Sequence, residues 1–516
     1  MIEPAGRKSP PLLTKKGNKM IRRILLAGAS ALAFAAPVSA QTAPAGANQG
    51  SGLDTAVPAD TAAAPAPVAK TGDAVLDRLN ELEAKVAALE ARNKQLEQEA
   101  TETQTRVQKV EVRAAKEVQP GPAPTFSDVN DSFTFHPRGT VQLDYAAYNS
   151  RAGGYNYNNG TDIRRARFGF DGTFWKVWKY RVEAEFVKGN TNLLDAYIQY
   201  AGFKNLLITV GQQKAPYGLE ANGTDALATF LERGMANNAF GAVGAERRVG
   251  ATVAYTPIPQ VIATVGIFGA GEAVQRNATT PDETYGVNGR VTFEPVNDTG
   301  RLIHVGAAGY HVSNFAAKTI GNLGDRPNTR VDGGLIESIT LAPVTTGPAA
   351  GQTRGVKDAT YWGLEGAGVY DRFSLQGEYN HLTVDRYGVV PSLNFDGYYV
   401  FGTLFLTGES RSFKGGVVDR VKPFNDFNPA AGHWGAFELA LRYDRLNLTD
   451  HNLSPLNHDA TSWTGGLNWY LNPNTRFIVN YIRFKGNNSP LVVAPVAING
   501  TTAKGDAVAT RLQFDF

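Results

Sequence analysis

Residues 180–186 read Tyr180-Arg181-Val182-Glu183-Ala184-Glu185-Phe186, with an apolar or aromatic side chain at each even position and a charge at each odd one. Successive side chains of a strand point to opposite faces, so this segment predicts a β-strand with one apolar face and one charged face. Upstream, Val141, Leu143 and Tyr145 alternate with Gln142 and Asp144, and Ala166, Phe168 and Phe170 with Arg165, Arg167 and Asp171. Downstream, Leu194, Ala196, Ile198 and Tyr200 interleave with Asp195, Tyr197 and Gln199. Much later, Phe373, Leu375, Gly377 and Tyr379 oppose Ser374, Gln376, Glu378 and Asn380, and Phe437, Leu439, Leu441 and Tyr443 oppose Glu438, Ala440, Arg442 and Asp444. The rule reaches the last residue, where Leu512, Phe514 and Phe516 alternate with Arg511, Gln513 and Asp515.

Alternation alone fits a soluble sandwich with its apolar face inward or a membrane barrel with its apolar face outward. The terminal aromatic, placed where an interfacial girdle would put it, favours the barrel. Further segments near Ile208, Val249, Val265, Val291, Val305, Leu364, Phe401, Leu467 and Tyr481 bring the total to about sixteen strands, the size of a water-filled porin lumen. Short breaks such as Glu294-Pro295 to Gly300 and Asn472-Pro473-Asn474 predict periplasmic turns, and spans near 311–358 and 411–433 predict long external loops. The predicted fold is all-β: an outer-membrane antiparallel β-barrel over residues 126–516, preceded by an α-helical coiled-coil stalk.

Ahead of the barrel, Lys15, Lys16, Lys19, Arg22 and Arg23 lead into the apolar run Ile24 to Ala36, which ends in Pro37-Val38-Ser39-Ala40. A basic start, a short apolar run and small residues at the end predict a signal peptide over 1–40, cleaved after Ala40. Met20 stands at the natural start of such a signal, which marks residues 1–19 as a candidate spurious extension. Residues 41–72, rich in Ala, Pro, Thr and Gly, predict a linker. Over 73–118 the period changes. Leu79, Val86, Asn93, Ala100 and Val107 fall at heptad position a, and Val75, Leu82, Leu89, Leu96, Thr103 and Val110 at d. Arg78, Lys85, Arg92 and Arg106 at g then face Glu83, Glu90, Glu97 and Glu111 at e in a parallel homo-oligomer. The seam residues lean toward two strands, and Pro120, Pro122 and Pro124 stop the helix.

With 51 basic and 48 acidic residues the net charge is +3, which gives no overall reason to expect nucleic-acid binding. The chain has no cysteine, so disulfides and thiolate chemistry are excluded. Its seven histidines are scattered; His304, His381 and His433 read as wall or loop residues, and neither a metal site nor a cofactor is expected. No nucleophile and base set points to a barrel enzyme.

The stretch Arg164-Arg165-Ala166-Arg167-Phe168-Gly169, then Leu194-Asp195-Ala196-Tyr197 and Val210-Gly211-Gln212-Gln213-Lys214-Ala215-Pro216-Tyr217-Gly218-Leu219-Glu220, resembles the phosphate- and polyphosphate-selective porin family. Phe230-Leu231-Glu232-Arg233 and Arg247-Arg248-Val249-Gly250 continue the likeness. It implies a trimer of outer-membrane barrels, a third external loop folded into each lumen, basic side chains guiding small anionic solutes, and three stalk helices rather than two.

Arg165 and Arg167 share the charged face of their strand, with Arg164 at its start, and rings of such cations attract anions in a pore. The segment Lys214 to Arg248 is too long for a turn and is the expected constriction loop; it carries Lys214, Arg233, Arg247 and Arg248 against Glu220, Asp225, Glu232 and Glu246. The alternative is that these charges pair and pin the loop to the wall. Asp195 resembles a position in the family's constriction, and its alternative is an ordinary solvated lumen acid. The leading functional expectation is passive diffusion of small hydrophilic solutes with a preference for anions, phosphate among them. The competing one is a non-conducting barrel that tethers the outer membrane to the cell wall through the stalk.

Overall fold

The structure, a computed structural model, describes residues 72–119, 122–128, 130–152, 156–269, 282–313, 315, 318–343, 355–490 and 502–516. The expected signal peptide and nearly all of the expected linker lie outside these residues.

Helix α1 spans Ala74–Glu117. Its heptad residues Val75, Leu79, Leu82, Val86, Leu89, Leu96 and Val107 are all exposed, so in the single chain the apolar seam is uncovered. Lys85 Nζ donates to Glu81 one turn earlier at 2.7 Å, the local ion-pair order that supports a solvated helix.

The barrel begins with β1 (Phe133–Ala152), β2 (Gly160–Phe174), β3 (Trp178–Val187) and β4 (Asn190–Phe203). It continues with β5 (Leu206–Lys214), β6 (Arg247–Tyr255), β7 (Val261–Phe268) and β8 (Tyr285–Asp298). The second half comprises β9 (Arg301–Ser313), β10 (Val356–Tyr370), β11 (Phe373–Arg386) and β12 (Leu393–Phe405), then β13 (Ala436–Asn447), β14 (Asp459–Asn472), β15 (Thr475–Asn487) and β16 (Thr502–Asp515). Each strand pairs antiparallel with the next, and β16 returns to β1 in a register running from Asp515 opposite Thr140 to Lys504 opposite Ala152. Closure leaves none of the sixteen described barrel strands at an open edge of the cylinder, which is what hydrocarbon demands of a spanning sheet.

The two faces answer the question that alternation leaves open. Val141, Leu143, Phe168, Val182, Ile198, Val210, Val249, Leu364, Leu441 and Leu512 are exposed on the outer wall, while Gln142, Asp144, Arg165, Glu183, Asp195, Glu378, Arg442 and Arg511 are buried inside. At one rim Phe174 stacks on Trp178, Trp178 meets Tyr200 and Tyr200 meets Phe203, with ring centroids 4.8–5.9 Å apart, a segment of interfacial girdle.

Seven connections lie at that rim, and six are brief; the seventh, 406–435, joins β12 to β13. This corrects the expectation that the span near 411–433 is external. Strand parity brings Phe405 down to the same rim as the turns, and length alone misjudged it. A second correction concerns Pro295, which belongs to β8 rather than to a turn. The register there slips between Phe293 and Val296, a bulge of the kind that accommodates a missing N–H, and the turn proper is Thr299-Gly300 with Gly300 at φ +72°.

Candidate pore and constriction loop

Between β5 and β6 the chain does not arch over the rim but folds into the lumen as helix α2 (Leu219–Asn222), a 3-10 turn (Asp225–Leu227) and helix α3 (Met235–Gly244). Neither helix is capped by its own preceding side chain. The wall supplies the caps. Glu378 on β11 accepts from Leu219 N at 3.0 Å and Glu220 N at 2.8 Å, and Asp444 on β13 accepts from Met235 N at 3.0 Å. Unpaired N–H groups and the positive end of the helix dipole are thereby satisfied from across the lumen. Gly218 and Gly234 allow this approach, since a Cβ at either would clash with Glu378 or with the Tyr399 ring.

The loop's carbonyls are gathered by the far wall. Arg476 donates to Ala228 O at 2.8 Å and Ala226 O at 3.0 Å, Asn468 to Thr229 O at 3.0 Å, Arg511 to Leu231 O at 2.7 Å and Arg442 to Glu232 O at 2.9 Å. Phe230 lies edge-on to Phe401, with the Arg442 guanidinium 4.5 Å from its ring centroid. These arginines therefore hold the loop.

A β-bulge decides where the Arg164 cluster points. Gln142 of β1 pairs with Arg165 and Leu143 with Ile163, so Arg164 is the extra residue. Arg164, Arg165 and Arg167 consequently all reach the loop. Arg164 donates to both oxygens of Glu232, at 2.7 and 3.1 Å, and Arg167 donates to Glu185 at 2.8 Å and to Asp225 at 2.7 Å. Arg165 donates to Gln142 at 2.7 Å and lies 3.2 Å from Asp225.

The other candidates converge on the same region. Lys214 donates to Gly223 O and Ala221 O, Arg233 pairs with Asp225 at 2.5 Å and donates to Glu220 O, and Arg247 pairs with Asp195 at 2.8 Å. Arg248 turns to backbone, donating to Val243 O and Gly269 O. Burial alone would raise the Glu232 carboxyl, but Arg164 and Arg330 outweigh it and hold the group well below the usual carboxylate range.

From the short-turn rim, the 406–435 connection also enters the barrel. Arg411 makes two 2.7 Å hydrogen bonds to Glu438, Arg290 donates to Gly416 O at 2.8 Å, and Phe413 packs with Leu302, Val369 and Leu219 of α2. The two inserted segments thus meet at Leu219 and Phe413. Beside them, between the 222–224 stretch and the wall of β1 to β6, lies a cavity of about 240 Å³. Its lining carries five cations, Arg138, Arg167, Arg181, Lys214 and Arg247, against two carboxylates, Glu183 and Asp195. Arg138 and Arg181 are the residues that the sequence reading overlooked, although each falls on the charged parity of its strand.

The family described as "Phosphate-selective porin O and P" matches residues 135–516. The chain belongs to that family. Porin O of Pseudomonas aeruginosa is 28% identical over 418 residues, covering 74% of this chain and 89% of its own. An uncharacterized protein of Caulobacter vibrioides is 26% identical over 397 residues, covering 74% of each. Among solved structures, an anion-selective porin from Comamonas acidovorans aligns at 13% identity and TM-score 0.47, over 74% of this chain and all of the other. DcaP of Acinetobacter baumannii aligns at 11% identity and TM-score 0.45, over 76% and 99%. The protein is an outer-membrane porin, a channel through which small hydrophilic solutes diffuse.

Proposed function

We propose that this porin passes small anions, oxyanions such as phosphate included, in preference to cations. The observation that carries the reading is the cavity beside the constriction loop, where five cations face two carboxylates. Most candidate cations spend their charge on the loop. The solute-facing preference therefore falls to Arg138 and Arg181, whose side chains keep 25% and 31% of their surface exposed. Both share Asp171, at 2.9 and 3.1 Å, and Arg138 also lies 3.3 Å from Glu183, so these two carboxylates orient the pair while part of each arginine side chain stays exposed. The test is ion selectivity in planar bilayers for the unsubstituted protein and for Arg138→Gln/Arg181→Gln; a selectivity that ignores the double substitution contradicts the assignment.

Residues 1–40 direct export, 41–72 link, and the exposed seam of α1 joins copies of the chain into a homo-oligomer, a trimer if the barrels set the number. The helix serves as a periplasmic stalk that can touch the cell wall.

A further inference from the structure

Asp225 opens the 3-10 turn of the constriction loop and is buried. Its Oδ2 lies 2.7 Å from Arg167 Nη1 and 3.2 Å from Arg165 Nε, and its Oδ1 lies 2.5 Å from Arg233 Nη2. Lys214 Nζ is fixed nearby on the Gly223 carbonyl at 2.7 Å. Three guanidinium groups converging on the two oxygens of one carboxylate reproduce what a small oxyanion meets in a basic pocket. The cluster is also rich in donors. Arg165 Nε and Arg233 Nη2 are buried within ion-pair range of Asp225, yet neither makes an aligned hydrogen bond. A carboxylate offers fewer acceptor directions than a tetrahedral anion would.

We infer that Asp225 is a tethered counter-ion: from the protein's own loop it fills a site whose arginines would otherwise hold a permeant oxyanion such as inorganic phosphate, and so keeps that anion moving. The inference rests on the anion preference proposed above and names the residue that limits its strength. Asp225 keeps its charge. Burial would raise its carboxyl, but Arg165, Arg233 and Arg167 outweigh burial and hold it well below the usual range.

The test uses the full-length porin in planar bilayers, with inorganic phosphate titrated into a KCl background, for the unsubstituted protein, Asp225→Asn, Asp225→Ser and Asp225→Asn/Arg167→Gln. In both single variants the half-blocking phosphate concentration is expected to fall by roughly tenfold, the equivalent of one pKa unit of interaction, and to recover in the double variant. Folded variants with unchanged phosphate block overturn the proposal, as does a raised conductance without block, which would make Asp225 only a pin for the loop. If neither single variant folds, refolding with added phosphate decides: rescue supports an oxyanion site and failure of rescue overturns it. A cation-biased reversal potential in the unsubstituted protein contradicts the underlying anion preference instead, so the two failures are told apart by which protein shows them.

Discussion

Arg511 on the last strand and Asp144 on the first face each other across the seam that closes the barrel, joined by two 2.7 Å hydrogen bonds with both side chains buried. A third donor of Arg511 reaches Leu231 O, so one guanidinium ties the seam to the constriction loop. Loop position and barrel closure are therefore coupled through this side chain, and again through Gln513, which accepts from Gln142 across the seam and donates to Ala226 O.

Asp144→Asn removes the carboxylate and leaves Arg511 with only Glu232, 3.3 Å away, as a charged partner. Breaking a buried pair on one side costs roughly 3–5 kcal/mol. The expected result is loss of the folded, heat-modifiable gel band at a lower temperature than in the unsubstituted protein. An unchanged transition would show that the seam does not depend on this pair.

The wall-supplied caps predict a different phenotype. Asp444→Ala removes the acceptor for Met235 N and should cost about 1 kcal/mol, the usual penalty for a lost helix cap. That is too little to unfold the barrel but enough to free the start of α3. Noisier open-channel current with a normal folded band is the expected observation, and quiet current would place the cap elsewhere.

The external segment offers a pH test. Glu337 lies in the short strand Glu337–Leu341, and burial pushes its carboxyl up to about 7 despite the hydrogen bond to His458 at 3.2 Å. A folded-state value above the unfolded one means the folded form binds the proton more tightly. The stability it contributes is fully present below about 4.5 and is lost as pH rises through about 7. Amide protection over residues 318–343, taken relative to the base-catalysed intrinsic exchange rate at each pH, should be greater at about pH 5 than at about pH 8, and Glu337→Gln should flatten the difference. Equal protection of the unsubstituted protein at both values would contradict this.

Substituting one loop-bound and one cavity-facing arginine should separate holding from guiding. Arg164→Gln breaks both bonds to Glu232 and should chiefly lower stability, whereas Arg181→Glu, on a more exposed group, should chiefly shift selectivity toward cations. Gel stability and reversal potential, measured on the same two variants, check the split.

The strands were legible because each lumen charge is flanked by lipid-facing apolar neighbours, a two-residue period that 180–186 shows unaided. What that period cannot convey is an interruption of itself. The bulge at Arg164 turns two adjacent arginines inward, and Pro295 hides inside a strand for the same reason. Whether Arg233 or Lys214 faces solute or loop depends on carbonyls and carboxylates folded beside them, and Asp444 caps a helix that begins 209 residues earlier in the chain. The length of the 406–435 connection suggests an external loop, and only the parity of the strands before it puts it at the short-turn rim.

Anion selectivity of the lumen is read by the reversal potential of the full-length porin in a planar bilayer under a KCl gradient. Open-channel steps with a potential displaced toward the chloride equilibrium value are expected. A potential displaced toward the potassium value, or a folded barrel that passes no current, would contradict it.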